Sequence, residues 1–150
     1  MEKLLIEQTK EILNEKDDLA ALCNVVALLY DQIKDINWLG FYFLKSNELV
    51  LGPFQGKVAC THLNINKGVC AKAARESKTI LVDDVHKFEG HIACDSRTNS
   101  EIVMPLIINN KVIGVLDIDS LLFNRFSVDD QKILEQIAKL ISIRINKAIQ

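Results

Sequence analysis

Proline and glycine are scarce in this chain, which has two prolines and six glycines among its 150 residues. Apolar residues make up 49% and charged residues 25%, the composition of an ordinary globular protein rather than a disordered one. No linker or low-complexity segment appears, and a chain of this length suits one domain that buries its own core. We therefore predict a single domain over residues 1–150.

A dominant charge and long apolar runs are also missing. The 18 basic and 20 acidic residues are mixed along the chain and leave a net charge of −2, which argues against nucleic-acid and anionic-membrane partners. Acids interrupt the segment from Met1 to Glu7 where a signal peptide needs apolar residues, and no run approaches the roughly 18 residues of a membrane span. We expect a cytoplasmic protein whose four cysteines are core thiols, metal ligands or catalysts rather than a disulfide framework.

Apolar spacing and turn residues predict an α+β fold. The predicted elements, after a short amphipathic helix, are a helix over 18–33 capped by Asp18, strands over 38–44, 49–51, 58–65 and 79–83, a helix over 69–76, paired strands over 102–108 and 112–118, and a long helix from Ser127. This order predicts about six mostly antiparallel strands flanked by N- and C-terminal helices, with one sheet face free for a pocket.

The polar segment 84–100 carries Cys94, which we interpret as a candidate nucleophile because function concentrates on such loops. A free thiol is only a few per cent ionised at neutral pH, so nearby positive charge would activate it. His91 and Arg97 are close enough in sequence to supply that charge. The alternative is an inert loop thiol.

The other three cysteines have weaker signals. Cys23 lies among apolar helical residues and is expected in the core, whereas Cys60 lies in or beside a strand. Cys70 begins a helix, where a thiol pKa is lowered. Zinc is not favoured, since the chain has no Cys-x-x-Cys pair and the potential ligands are loosely spaced: Cys60, His62, Cys70, His86, His91 and Cys94.

Acids and aromatic residues could complete a site. Strand alternation places Asp117 and Asp119 on one face, either as the solvent end of a strand or as ligands for an ammonium group, and Glu101 could stand at the same rim. Trp38 and Tyr42 also share a face, either as core or as a wall around a methyl group. Periodicity does not choose between these alternatives.

These residues together resemble the free methionine-(R)-sulfoxide reductases, a family built on the GAF domain. The resemblance covers nearly the whole chain and depends on five features: Trp38-Leu39-Gly40-Phe41-Tyr42, the segment 51–56, the spacing of Cys60, Cys70 and Cys94, Glu101-Ile102-Val103-Met104-Pro105, and the segment 114–120. It implies a six-stranded antiparallel sheet and reduction of the free amino acid L-methionine-(R)-sulfoxide.

The resemblance also implies roles for single residues. Cys94 would be the nucleophile, Cys60 the main resolving thiol and Cys70 an accessory, with a Cys60–Cys94 disulfide recycled by a thioredoxin-type dithiol. The remaining roles are substrate contacts for Trp38, Tyr42 and Asp117, and both substrate binding and acid catalysis for Glu101 and Asp119. No metal or organic cofactor is implied. The apolar terminal helices suggest a homodimer, and the competing interpretation is a GAF sensor that binds a small ligand without chemistry.

Overall fold

The computed structural model describes residues 3–91 and 94–145, and it confirms the α+β class. The elements are α1 (Lys3–Ile12), α2 (Asp18–Gln32), β1 (Ile36–Lys45), β2 (Glu48–Gly56), β3 (His62–Asn64), α3 (Val69–Glu76), β4 (Ile80–Val82), a short 3-10 helix (Val85–Lys87), β5 (Ser100–Ile108), β6 (Lys111–Ser120) and α4 (Val128–Ile145). Among these helices, none is long and apolar enough to cross a bilayer.

The strands form a six-stranded sheet in the order β3-β2-β1-β6-β5-β4, and every adjacent pair is antiparallel. Strands β1 and β6 lie at its centre, so the sheet joins an early strand to a late one. Their register sets Trp38 opposite Asp119, and β5 sets Glu101 opposite Asp119 from the other side. Three separate strands therefore bring candidate site residues to one place.

The two faces of the sheet have different cores. On one face, Leu39, Phe41 and Phe43 of β1 pack with apolar residues of α1, α2 and α4. On the other, Trp38 and Tyr42 pack with α3, β3 and β4. Side chains alternate across a strand, so the apolar pattern of β1 serves both faces and leaves the α3 face with aromatic and polar groups.

Three predicted boundaries are wrong. Of the strand predicted over 58–65, only His62–Asn64 (β3) is formed, because only these residues pair with β2, and Cys60 lies outside the sheet. The N-cap of α2 is Asp17, whose Oδ1 accepts a hydrogen bond from the Ala20 amide at 2.8 Å, rather than Asp18.

Strand β2 continues through Pro53 to Gly56, because it remains paired with β1 as far as Gly56. The short strand β3 pairs only with residues 48–50 of β2. Beyond Val50 this edge of β2 is open, and a proline is tolerated there because no neighbouring strand needs its missing N–H.

Cys23 is also misplaced by the sequence pattern, since its thiol is exposed rather than in the core. The buried stripe of α2 consists of Ala21, Leu22, Val25, Val26 and Leu29. Cys23 comes directly after Leu22 of this buried set, and each residue advances the helix by about 100° around its axis. It therefore faces away from the sheet.

Candidate active site

A small cavity lies on the α3 face of the sheet. Its volume is about 40 Å³, room for a few water-sized spheres, since a water needs about 10–15 Å³ on this scale. Seven of the predicted site residues line it: Trp38, Tyr42, Cys70, Cys94, Glu101, Asp117 and Asp119. The eighth, Cys60, contacts Cys94 at the rim. The fold therefore gathers the predicted residues from β1, α3, β5, β6 and two loops.

The sulfurs of Cys60 and Cys94 lie 2.7 Å apart, and both thiols are free. Cys60 follows β2 in a segment outside the sheet, and its carbonyl accepts a hydrogen bond from the Tyr42 hydroxyl at 2.9 Å. This contact holds the Cys60 segment against β1. Only a small movement would be needed to reach the S–S bond length of about 2.05 Å.

The Cys94 loop is anchored by the residue that follows it. Asp95 is buried and receives two hydrogen bonds from the Arg97 guanidinium and one from Asn37 Nδ2 at 3.1 Å. Asn37 also donates to Thr98 Oγ1 at 2.9 Å. The sequence analysis missed Asn37, because a single amide near the start of a strand carries no pattern of its own.

The expected activation of Cys94 by positive charge is wrong. Arg97 is committed to Asp95, and burial lowers the pKa of His91, which leaves that ring neutral. Cys94 is exposed at the rim, but partial burial of its sulfur first, and then the hydrogen bond with Cys60, raises its pKa to about 12. The sulfur is therefore a thiol at neutral pH, and its attack must be coupled to loss of a proton.

Glu101, Asp117 and Asp119 form a group of neighbouring carboxyls rather than a solvated strand end. Glu101 and Asp117 are each 5% exposed, while Asp119 is partly buried. Burial, followed by the charges of the neighbouring acids, raises the pKa of all three well above the usual range. Among the described residues, Oδ1 of Asp117 and Oδ1 of Asp119 are buried and accept no hydrogen bond. This corner suits a cationic group.

The aromatic wall is a stack rather than a pair. Trp38 lies 5.8 Å from Tyr42 and 5.3 Å from Phe54, measured between ring centroids. The indole Nε1 donates to the Lys57 carbonyl at 3.1 Å, which fixes the ring. At Gly40 an added Cβ would lie 2.3 Å from Phe54 Cβ and 2.8 Å from the Trp38 ring, so glycine permits the stack. The sequence analysis included Phe54 only within the segment 51–56.

Cys70 is buried in the first turn of α3, and the predicted lowering of its pKa is wrong. Burial and the nearby Asp117 carboxylate raise that pKa well above its usual value, which outweighs the helix terminus. Its sulfur lies within 4.8 Å of one carboxyl oxygen of Glu101 and one of Asp117. Two further potential zinc ligands are engaged outside the cavity lining: His62 with Glu48 and His86 with Asn99, each at 2.9 Å.

Comparisons with known proteins agree with this geometry. The GAF domain family model matches residues 17–146. The free methionine-R-sulfoxide reductase of Escherichia coli is 52% identical over 82% of this chain and 74% of its own. The reduced form of fRMsr of Staphylococcus aureus superposes with a TM-score of 0.90 at 49% identity, covering 95% of this chain and 93% of its own.

A third relative, the free methionine-R-sulfoxide reductase from Neisseria meningitidis in complex with its substrate, superposes with a TM-score of 0.91 at 38% identity. The match covers 97% of this chain and 90% of that one. Sequence, family model and structure thus agree over nearly the same residues, and the chain belongs to the free methionine-R-sulfoxide reductases of the GAF-domain family.

Proposed function

We propose that the protein reduces free methionine-(R)-sulfoxide to methionine, with Cys94 as the nucleophile. The observation that carries the proposal is the contact between the Cys94 and Cys60 sulfurs at the rim of a cavity lined by carboxyls. Such a cavity offers a nucleophile, a resolving thiol and a proton donor together. Relatives that are named for this activity share most of the chain.

Substrate binding uses the two ends of the cavity. The ammonium group of the amino acid binds at Asp117 and Asp119, because the buried Oδ1 atoms of these residues have no partner and would pair with a positively charged group. The methyl group of the sulfoxide packs against Trp38 and Tyr42, where a soft sulfur substituent meets aromatic faces.

Oxygen transfer consumes one thiol and one sulfoxide. The Cys94 sulfur attacks the sulfoxide sulfur while Glu101, protonated because burial raises its pKa, gives its proton to the sulfoxide oxygen with the help of Asp119. The Cys94 thiol proton restores Glu101. The hydroxyl group then passes from the substrate sulfur to the Cys94 sulfur. The S–O bond of the substrate and the transient S–S bond break, a new S–O bond forms on Cys94, and methionine leaves reduced by the two electrons that Cys94 loses in becoming a sulfenic acid.

Cys60 then resolves the sulfenic acid. Its sulfur attacks that of Cys94, water leaves and a Cys60–Cys94 disulfide forms, which supports catalysis by sparing Cys94 from irreversible oxidation. Cys70 is less suited to this step because it is buried, whereas Cys60 is partly exposed and its sulfur contacts that of Cys94. A thioredoxin-type dithiol reduces the disulfide through a mixed disulfide at the rim, where Cys94 is exposed.

The test is turnover of free L-methionine-(R)-sulfoxide with a thioredoxin system, comparing wild type with Cys94→Ser, Cys60→Ser and the control Cys23→Ser. We expect no reduction by Cys94→Ser, about one methionine per enzyme from Cys60→Ser before it stalls, and unchanged turnover in the control. If wild type binds the sulfoxide without consuming it, the protein is a small-ligand sensor and the proposal fails.

A further inference from the structure

Three side chains of different chemistry converge below the thiol pair. Cys70 Sγ and one oxygen each of Glu101 and Asp117 all lie within 4.8 Å of one another. They come from α3, β5 and β6, and each residue is at most 6% exposed. They also line the cavity, so an ion that enters it reaches all three.

Among the described residues, the cluster makes no ion pair with a lysine or an arginine. Its basic neighbour is His91, whose Nε2 lies 3.4 Å from Glu101 Oε1, and Lys57 and Lys67 line the same cavity. Asp117 is 5% exposed and lines the cavity, and its buried Oδ1 accepts no hydrogen bond from the described residues. An unpaired buried carboxylate is costly and is relieved either by a proton or by a cation.

The donor set selects the kind of cation. A thiolate and two carboxylates suit Zn²⁺, which takes three protein ligands and leaves a fourth position open, whereas Ca²⁺ and Mg²⁺ require oxygen ligands in larger number. At Zn–S and Zn–O distances of about 2.3 and 2.1 Å, tetrahedral ligand atoms lie roughly 3.4–3.6 Å apart. The donors must therefore close by about 1 Å, which the broad terminal torsions of Glu and Asp permit.

We propose that Cys70, Glu101 and Asp117 bind a thiophilic divalent cation such as Zn²⁺ in the reduced enzyme, and that the bound ion excludes the substrate. The ion is an inhibitor, not a cofactor, because it occupies the carboxylates that would bind the ammonium group. Binding by itself is independent of the proposed function, whereas the competition with methionine sulfoxide rests on it.

Metal binding releases protons from the ligands, and this release can be measured. Cys70 must release its thiol proton, and protonated carboxyls release theirs, when the ion replaces them. No electron moves. Affinity for the ion therefore falls as the pH is lowered, and each binding event acidifies a weakly buffered solution.

The test uses Co²⁺, a spectroscopic substitute for Zn²⁺, with a full-length Cys60→Ser/Cys94→Ser protein kept reduced by a phosphine. In this variant the proposed ligands remain while the two rim thiols cannot bind metal or turn substrate over. We expect one Co²⁺ per chain with sulfur-to-cobalt charge-transfer absorption, proton release, and displacement by free methionine-(R)-sulfoxide.

Two further substitutions are made in this background. Cys70→Ser should abolish the charge-transfer band and raise the Co²⁺ dissociation constant at least about tenfold, and Asp117→Asn should raise it by a similar factor. Cys23→Ser, at an exposed thiol, should change neither. Unchanged thermal unfolding of the Ser variants shows that a lost band is not lost folding.

Several outcomes would overturn the metal site: no band in the Cys60→Ser/Cys94→Ser protein, a band that survives Cys70→Ser, or a band lost in Cys23→Ser. Retention of Co²⁺ at saturating methionine sulfoxide would overturn the exclusion. If the band forms as expected and wild type fails to reduce the sulfoxide, the metal site stands and the proposed function falls. If wild type reduces the sulfoxide and no band forms, the proposed function stands and the metal site falls.

Discussion

Replacing Asp117 with asparagine should make the free protein more stable at neutral pH. Asp117 is 5% exposed beside Glu101, and burial together with that neighbour raises its pKa well above the usual range. A carboxyl whose pKa is raised by folding stabilises the protein fully only below its unfolded pKa, and that contribution is lost as the pH rises through the folded pKa. At neutral pH the carboxyl group is therefore a net cost.

The size of the effect follows from what the amide changes. It removes one buried ionisable group, whose pKa is raised by burial and by Glu101, and it keeps an amide that can hydrogen bond with the neighbouring carboxyl group. Substitutions that remove poorly compensated buried charge stabilise proteins by about 1–3 kcal/mol. For a chain of this size, 1 kcal/mol corresponds to about 2–4 °C, so we expect a rise in Tm of about 2–12 °C at pH 7.

Asp95→Asn is the matched control with the opposite sign. Its hydrogen bonds with the Arg97 guanidinium hold the pKa of Asp95 well below the usual range. A lowered pKa gives stability that is present above the unfolded pKa and is lost as the pH falls. We expect Asp95→Asn to destabilise by on the order of 1–2 kcal/mol at pH 7.

The assay is urea unfolding of wild type and both variants at pH 5, 7 and 8. The advantage of Asp117→Asn should grow with pH, whereas the deficit of Asp95→Asn should stay constant from pH 5 to 8, because all three pH values lie above the unfolded pKa of an aspartate. In turnover, Asp117→Asn should raise KM for methionine sulfoxide at least about 30-fold, since a buried partner of the ammonium group is lost. An Asp117→Asn protein that is less stable than wild type at every pH would refute the reasoning.

Three further predictions concern the thiols and the aromatic stack. Tyr42→Phe removes the hydrogen bond to the Cys60 carbonyl, which is worth about 1 kcal/mol. Single-turnover methionine formation should therefore persist while disulfide formation slows roughly fivefold. Equal slowing of both steps would contradict this prediction. Alkylation of Cys94, followed by mass spectrometry, should accelerate about tenfold per pH unit without levelling off below pH 10, because the pKa is raised to about 12; a plateau near pH 8 would show an ordinary thiol. Gly40→Ala forces its methyl group into Phe54 and the Trp38 ring. The variant should therefore unfold more easily than wild type, by about 1–3 kcal/mol, and have a higher KM for methionine sulfoxide. Unfolding and KM equal to those of wild type would show that the aromatic stack is not constrained at this position.

Local periodicity was enough to predict which residues share a face. Alternation along β6 places Asp117 and Asp119 together, and alternation along β1 does the same for Trp38 and Tyr42, as the structure confirms. This works because the side-chain direction in a strand depends only on the strand itself. The same locality explains why the predicted class of fold is confirmed.

The pKa values of the thiols could not be predicted in this way, because charges act through space and a charged side chain can already be paired with another residue. Arg97 is three residues from Cys94 in sequence, yet its guanidinium is bound to Asp95. The strength of burial around Cys94 and Cys70 depends on elements far along the chain, and it reverses the expected direction of both pKa values. Contact between Cys60 and Cys94 likewise depends on the register of β1 against β6.

The closeness of the two rim sulfurs also has a consequence for the denatured chain. Cys60 and Cys94 are 34 positions apart, so a bond between them would close a loop that contains α3 and β4. Closing a loop of this length removes about 3–4 kcal/mol of conformational entropy from the unfolded ensemble. The oxidised form would then be harder to unfold than the reduced one, and the bond that stops turnover would also protect the chain from proteases until a reductant cleaves it.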